Sequence, residues 1–513
     1  MSLKKRLIAA GAVALVAVLA FGIAKAGMDV VTEQEEPVFT GGRETLYLWY
    51  TDEALTSYIS SAAVTYNETH DVRIMPVLEK GPEYLEKINE ASLHGEVPDL
   101  YILGHDSLEK SYLAGLACEV EAPEGVSLEE TYMNTGLQAV SYKDKVIGYP
   151  FYFETSSLLY NKTYLEDMAR AQLTAEADLL AAQEAEQNLE ENGPQEDVEA
   201  AAKGQEDLQE ESGEMRRQIE ERMAQLLPST IEGIRDFADS YDAPEQVEAV
   251  FRWDVTDIFY NYFFVGNAID MGGEAGWDTS RIDIYNENAI SNMRAYAALN
   301  QFFSIDTSDV EYEKVIDEFI SGKLVFTVAT TDVVGRLEQA REDGLFAYDY
   351  GIALTPDIDG DKKSRSLSMT SCVVVNGYSD FQKEANDFAL FLTSGYNDIL
   401  YARSGKVSAA RNVNYGYEAL GEFAREYERS ISMPKMLETS NFWVLLEAAF
   451  SQVWNGADAN LMLKELSEQI MQQVTGEPFE EEYIQDPVEE DEEEEYLDED
   501  FYRQEAMEED ESE

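Results

Sequence analysis

The sequence predicts an α/β protein built as two lobes, and three observations predict it. At 513 residues the chain is long enough for two domain-sized cores. Between Glu44 and Tyr149, short apolar strands alternate with helical stretches, the pattern of an α/β sheet. The stretch Gly148-Tyr149-Pro150-Phe151-Tyr152-Phe153-Glu154-Thr155-Ser156-Ser157-Leu158-Leu159-Tyr160-Asn161-Lys162 reads as two extended runs interrupted by Pro150 and by the polar group Glu154 to Ser157. Proline removes a ladder donor and pushes Tyr149 toward extended backbone. A compact core would not hold Glu154 unpaired, because a buried lone carboxylate is costly. A segment that leaves one sheet, passes a polar opening and enters another meets both demands. A surface hairpin with one exposed Glu is the alternative.

The elements follow in order. Lys4-Lys5-Arg6 precedes the uncharged run Leu7 to Ala24, and Ala24-Lys25-Ala26 offers a small-x-small cleavage site. Residues 1–27 therefore read as an export segment, either a cleaved signal peptide or a retained membrane anchor, since about 18 apolar residues can just span a bilayer. The basic flank places the N-terminus inside and the bulk outside. Residues 28–43 are a polar linker. Leu46-Tyr47-Leu48-Trp49-Tyr50-Thr51-Asp52-Glu53 is a strand ending in polar residues, and Pro98-Asp99-Leu100-Tyr101-Ile102-Leu103-Gly104-His105-Asp106 repeats that pattern.

Residues 165–227 form a charged helical segment. Leu165, Ala169, Leu173, Ala177 and Leu180 recur at helical spacing, Asn192-Gly193-Pro194 marks a turn, and Met215, Ile219, Met223 and Leu226 recur again. It reads as a helical hairpin or a frayed helix pair, serving as a solvated decoration or a docking arm. Residues 229–240 are helical, residues 251–264 are rich in aromatics, and residues 290–303 are helical. Phe319-Ile320-Ser321-Gly322-Lys323-Leu324-Val325-Phe326-Thr327-Val328 is a helix end, a glycine stop and a strand. Tyr348 to Leu354 is a strand. Asp357-Ile358-Asp359-Gly360-Asp361 lacks a full calcium loop with its terminal Glu and reads as a turn. Residues 381–392 are helical, and Leu463, Leu466, Ile470 and Val474 mark a last helix. Residues 476–513 show only acid and are expected to be disordered.

The net charge is −66, from 103 acidic and 37 basic residues. That excludes nucleic-acid binding through neutralised phosphates and a polybasic hold on anionic lipid. Residues 480–513 carry 20 acids against Arg503 alone, and residues 165–227 carry 18 acids against five bases. Cys118 and Cys372 are the only cysteines and cannot make a disulfide framework or a zinc site by themselves. His70, His94 and His105 show no metal-ligand spacing, and no Walker loop, HExxH or GxSxG occurs. The chain is expected to be no enzyme and to hold no cofactor or metal.

Taken in order, these strands, the Gly148–Lys162 stretch, Ser432-Met433-Pro434 and the helix opened by Ser440-Asn441-Phe442-Trp443 resemble the extracellular solute-binding proteins of bacterial ABC importers, in their maltose-binding-protein-like branch. The resemblance spans roughly Glu44 to Val474, apart from residues 165–227. It implies a two-lobed periplasmic-binding-protein fold of type II, with lobe I at 44–154 and 352–394 and lobe II at 155–351 and 395–475. The acidic helical hairpin would be inserted in lobe II. Three hinge crossings are implied, near Glu154, near Gly351 and near residues 393–396.

By position in the matching motifs, Asp106 falls on a sugar-binding Asp, Glu154 on the Glu of the crossing segment, Trp443 on a Trp that stacks a sugar ring, and Glu53 near a polar contact. Asp332 stands where the family has a Trp after the late strand. Leu103, Ser107 and Glu447 replace a maltose-binding aromatic and two arginines, so the resemblance implies the cleft geometry without maltose chemistry. The expected ligand is a carbohydrate, whose hydroxyls pair with carboxylates and whose C–H faces lie on aromatic rings. The expected partners are the permease subunits of an ABC importer and, through the N-terminal segment, the membrane, with the protein a monomer at the outer face of the cytoplasmic membrane. No cysteine follows the apolar run, so the lipoprotein attachment usual in Gram-positive relatives cannot be used. A sugar sensor that presents its closed form to a receptor, or a glycoside hydrolase with paired carboxylates, are the competing readings.

Overall fold

A computed structural model describes residues 43–95, 97–192 and 205–485. The expected signal or anchor, nearly all of the linker, the turn beyond Asn192 and residues 486–513 of the acidic tail lie outside the described residues. Two compact units are distinguished. The small one comprises residues 43–45 and Asp71–Arg73, where the Arg73 N–H donates to the Glu44 carbonyl at 2.8 Å. The large one, Leu46–His70 and everything from Ile74 onward, holds both lobes.

Among the described residues the main element is a sheet of ten strands. They are β1 (Thr45–Tyr50), β2 (Arg73–Leu78), β3 (Leu100–Gly104), β4 (Tyr149–Asn161), β5 (Ala249–Phe251), β6 (Leu324–Thr330), β7 (Tyr350–Ala353), β8 (Leu367–Val375), β9 (Val407–Ser408) and β10 (Ile431–Ser432). Their order is β2-β1-β3-β8-β4-β6-β5, with β7 and β9 also on β4 and β10 on β8. The helices used below are α1 (Lys162–Asn192), α2 (Gln205–Leu226), α3 (Ile258–Asn261), α4 (Tyr312–Ile320), α5 (Val333–Glu342), α6 (Glu418–Arg429), α7 (Phe442–Trp454) and α8 (Ala459–Thr475).

Strand β4 belongs to both lobes. Up to Thr155 it pairs with β8, Phe153 opposite Thr370 and Thr155 opposite Ser368. From Ser156 it pairs with β6, Ser156 opposite Thr330, and with β7, Leu158 opposite Ala353. The stretch is thus one continuous strand rather than a surface hairpin, and Glu154 stands where the partners change. Its burial explains the sequence: Phe151, Phe153, Leu158 and Leu159 are almost fully buried, each contributing about 1.5–3 kcal/mol. The first lobe's core gathers Tyr101, Ile147, Cys372 and Val374. The second lobe's core includes Trp253, Tyr296, Phe326 and Trp454. Cys118 and Cys372 are free thiols.

The second passage between lobes lies later than Gly351. Strand β7 pairs wholly with the second half of β4, and β8 pairs with β3 and the first half of β4, so the chain crosses within residues 354–366. The buried Glu426 of α6 fixes this passage. It accepts from the Thr355 N–H at 3.0 Å, the Thr355 hydroxyl at 2.8 Å and the Ser366 hydroxyl, with Arg429 3.0 Å away. Those donors offset the burial of its charge. The Asp357–Asp361 segment is a turn closed on itself, the Asp359 carboxylate accepting from the N–H groups of Asp361 and Lys362.

The crossing expected near residues 393–396 is not there. Residues 391–395 are a helical turn docked on the first lobe, where the Tyr58 hydroxyl donates to the Leu392 carbonyl at 2.6 Å. Beyond it, β9 pairs with Phe153 and Tyr152. The cause is local: Val407 and Ser408 pair with Phe153 and Tyr152, and the Ala409 N–H donates to the Phe151 carbonyl at 3.0 Å, which holds this stretch on the first half of β4. The chain then runs along α6, which packs on β4 and β7, returns to β8 through β10 and makes its last passage through Met433-Pro434-Lys435-Met436. At the true crossing, the Lys435 ammonium is buried and donates to the carbonyls of Ser141 (3.0 Å), Gln138 (3.4 Å) and Ala275. Ser141 and Gln138 belong to the first lobe and Ala275 to the second.

In the acidic segment, α1 and α2 lie side by side, with the Arg222 guanidinium on the Glu176 carboxylate at 2.8 and 3.0 Å. The inner ends are not decoration. Leu165, Ala169, Ile219 and Met223 join the second lobe's core, while Leu179 and Leu180 are exposed.

Candidate functional site

A cleft of about 490 Å³ opens where β4 changes partners. Glu154, Leu367 and Met433 line it from the crossings. Asp257, Ile258, Phe259, Tyr260, Tyr312, Thr330, Thr331 and Asp332 line it from the second lobe. Polar groups converge there because β6 ends at Thr330 and α5 begins at Val333, the place where ligands enter α/β sheets. A larger groove of about 890 Å³ runs along β7 and α6. It is lined by crossing residues such as Leu354 and Thr355 and by Glu418 and Glu422 of α6, and no residue of the β6 end enters it.

Glu154 is half-exposed and its carboxylate lies 3.2 Å from the Lys406 ammonium, which also meets Asp52 at 3.0 Å. Lys406 stands 5.1 Å from the centre of the Tyr152 ring. Burial works against its charge, but Glu154, Tyr152 and Asp52 together outweigh burial and hold the ammonium above the ordinary lysine range. On the opposite wall, Tyr260 and Tyr312 stack with centroids 4.8 Å apart at 17°. The Tyr312 hydroxyl donates to Asp332 at 3.0 Å and accepts from Thr330. Asp257 caps α3 by accepting from the Phe259 N–H at 2.8 Å. Burial first, then Asp254 and Glu447, pushes its carboxyl above the usual range.

Of the five residues expected from the sequence, Glu154 and Asp332 line one cavity. Glu53 is exposed and has no ion-pair partner among the described residues; Asp52, its neighbour, makes the contact with Lys406 instead. Asp106 follows β3 and does not line the cavity. It sits against Gly104, where a Cβ would stand 2.5 Å from its carboxylate and turn it away. Desolvation raises its carboxyl. Trp443 is partly buried in the first turn of α7, its ring 5.4 Å from Tyr262, and does not line the cavity either. Phe442 is fully buried in the core. One turn beyond Trp443, Glu447 accepts from the Ile258 N–H at 3.4 Å, so this face of α7 buttresses the cleft from behind.

Sequence reasoning missed Asp257, Tyr260, Tyr312 and Lys406. It also missed the role of His105, which is fully buried beside the cleft floor. Its Nδ1 accepts from the Thr370 N–H at 3.0 Å, which leaves Nε2 to donate to the Met433 carbonyl at 2.8 Å. Burial, then Lys435, pushes its pKa down to about 3, so the ring is neutral. An Asp in N-cap position before Ile258 was the available signal for Asp257; nothing local marked Lys406.

The family model described as bacterial extracellular solute-binding protein matches residues 61–424. The chain belongs to that family. This solute-binding protein is 26% identical over 134 residues to the maltooligosaccharide ABC transporter solute-binding lipoprotein of Streptococcus pneumoniae serotype 4, a match spanning 26% of this chain and 31% of the relative. The chain therefore spans about a third of the length of that curated relative. Among solved structures, it resembles the extracellular solute-binding protein of Staphylococcus aureus in complex with maltose (18% identity, TM-score 0.64, 85% of this chain and 99% of the other). It also resembles a cyclo/maltodextrin-binding protein complexed with maltotetraose (17%, 0.64, 85% and 98%). A third is the maltose-binding periplasmic protein of Listeria monocytogenes (17%, 0.59, 85% and 100%). These likenesses show the two-lobed α/β fold.

Proposed function

We propose that this protein is the carbohydrate receptor of an ABC importer, taking an oligosaccharide in the cleft and presenting it to permease subunits at the outer face of the cytoplasmic membrane. The observation that carries this reading is the cleft itself. It opens at the strand shared by both lobes and combines a stacked tyrosine pair with carboxylates and threonine hydroxyls. Rings and carboxylates are what a saccharide's C–H faces and hydroxyls need. Glu154, Asp257, Tyr260, Tyr312 and Asp332 are the contact residues of this reading, with Asp106, Glu53 and Trp443 at its margins. The lipoprotein relative supports an extracytoplasmic placement, with residues 1–27 serving as signal or anchor. The protein acts as a monomer and its lobes close on the ligand by hinge rotation, as periplasmic binding proteins do.

A thermal-shift screen of oligosaccharides tests the reading, because a ligand at 100 times its Kd stabilises the fold by about 2.7 kcal/mol. No shift with any saccharide, under conditions where the protein is folded, would reject a carbohydrate ligand. Release of reducing sugar from a bound oligosaccharide would reject a purely binding role and favour a hydrolase.

A further inference from the structure

The cleft has an unbalanced charge. Three carboxylates line it, Glu154, Asp257 and Asp332, and no lysine, arginine or histidine does. The nearest cation on the first-lobe side, Lys406, is already held by Asp52 and Glu154. On the opposite wall, Arg336 lies over the Tyr312 ring at 5.8 Å; its Nη2 is held by Glu313 and Asp317, and its Nη1 is buried without a hydrogen-bond partner.

Two of these carboxylates have acceptor capacity left. Asp257 uses one oxygen to cap α3, and Asp332 uses one to receive Tyr312 and Thr330. The second oxygen of each has no described hydrogen-bond partner. Beside them Tyr260 and Tyr312 cover one another's faces, and Arg336 lies over the Tyr312 ring.

We propose that the cleft selects saccharides carrying an amino group, over neutral ones and against those carrying carboxylates or sulfates. An ammonium in place of a hydroxyl supplies three donors and a positive charge to the free oxygens of Asp257 and Asp332. Each such donor can make a charge-assisted bond to a carboxylate, stronger than the neutral bond a hydroxyl makes. An acidic sugar meets like charge at hydrogen-bond range, and the ammonium beside it, Lys406, is already engaged by Asp52 and Glu154. The inference rests on the carbohydrate reading and narrows it.

The test is calorimetric titration of the full chain with matched trisaccharides: neutral glucose oligomers, the corresponding glucosamine oligomers and the glucuronate oligomers, each α- and β-linked. Titrations run at about 20 mM and about 300 mM salt, which brackets strong and weak screening. The expected result is binding of a glucosamine member at least tenfold tighter than its neutral partner at low salt, with the ratio shrinking at high salt. In Asp257→Asn, whose amide oxygen can still cap α3, and in Asp332→Asn, the amino-to-neutral ratio falls severalfold while the ligand-free melting temperature stays close to wild type. Equal or tighter binding of the neutral partner, or any binding of the glucuronate member, overturns the proposal while leaving the carbohydrate reading intact. Spermidine binding as tightly as the amino sugar overturns the requirement for a sugar ring. No saccharide binding at all overturns both.

Discussion

Lys435→Met tests whether the buried lysine at the last crossing holds the two lobes together. The side chain is fully buried, and its ammonium donates to the carbonyls of Ser141 and Gln138 in one lobe and Ala275 in the other. Methionine fills a similar volume and donates nothing, so three carbonyls lose a charge-assisted bond worth about 1.5–3 kcal/mol each. Relief from burying an ammonium returns several kcal/mol, so the net destabilisation should be about 2–4 kcal/mol. For lobes of this size that corresponds to a melting temperature lower by roughly 4–16 °C.

The pH dependence sharpens the test. Burial pushes the Lys435 pKa down to about 7, against smaller opposing effects of Cys372 and Glu109. The neutral ring of His105 lies close by. With the folded pKa below the unfolded one, the unfolded chain holds the proton and the folded chain releases it between about pH 7 and the ordinary lysine range near 10.4. Stability from this group is therefore lost as pH falls through the folded value and grows above it, by at most about 1.4 kcal/mol per pH unit. Urea unfolding of both proteins at about pH 7 and about pH 9 should show the gap between them widening with pH. A gap that stays constant would mean that the carbonyl cage keeps the ammonium charged. A variant as stable as wild type at both pH values would refute the role altogether.

Three further outcomes follow from the geometry. Replacing residues 178–214 by a short linker should leave the melting temperature within a few degrees, whereas deleting residues 165–227 should abolish folding, because Leu165, Ala169, Ile219 and Met223 are core; circular dichroism separates the two. Tyr312→Phe keeps the ring stack but removes the hydroxyl bridging Thr330 and Asp332, and should weaken a confirmed ligand by about 1 kcal/mol in calorimetry with little change in melting temperature; an unchanged affinity would remove Asp332 from the contact surface. Small-angle scattering should show compaction on addition of that ligand, with bending at Thr155–Ser156, at residues 354–366 and at residues 433–436; an unchanged radius would speak against closure.

Much of this was legible in the sequence, for physical reasons that also explain what was not. Glu154 announced itself because a carboxylate amid Tyr152, Phe153, Leu158 and Leu159 has few places to go, and the structure puts it where the sheet partners change. The alternation of strands and helices gave the fold class because periodicity is a local property. The Tyr260–Tyr312 stack was hidden, since it joins rings 52 positions apart and neither is marked among 30 tyrosines. Lys406 was hidden for the same reason: its importance comes from Asp52 and Glu154, both distant in sequence. The third crossing was misplaced because residues 397–410 carry a two-residue strand, too short to show a period.

The split of the first lobe along the chain has a consequence for its synthesis and export. Strand β3 waits for β8, whose Cys372 lies opposite Leu103, and β8 in turn receives β10 at Leu367 and Ser368. Everything of the second lobe from Ser156 to Ala353 must emerge in between. Until then Leu100 to Gly104 present an unpaired strand edge, an aggregation hazard in any nascent or truncated chain. Chains ending before Leu367 should therefore be clients of holding chaperones, while the second lobe, whose β4 half, β5, β6 and β7 are complete by Ala353, can close its sheet first.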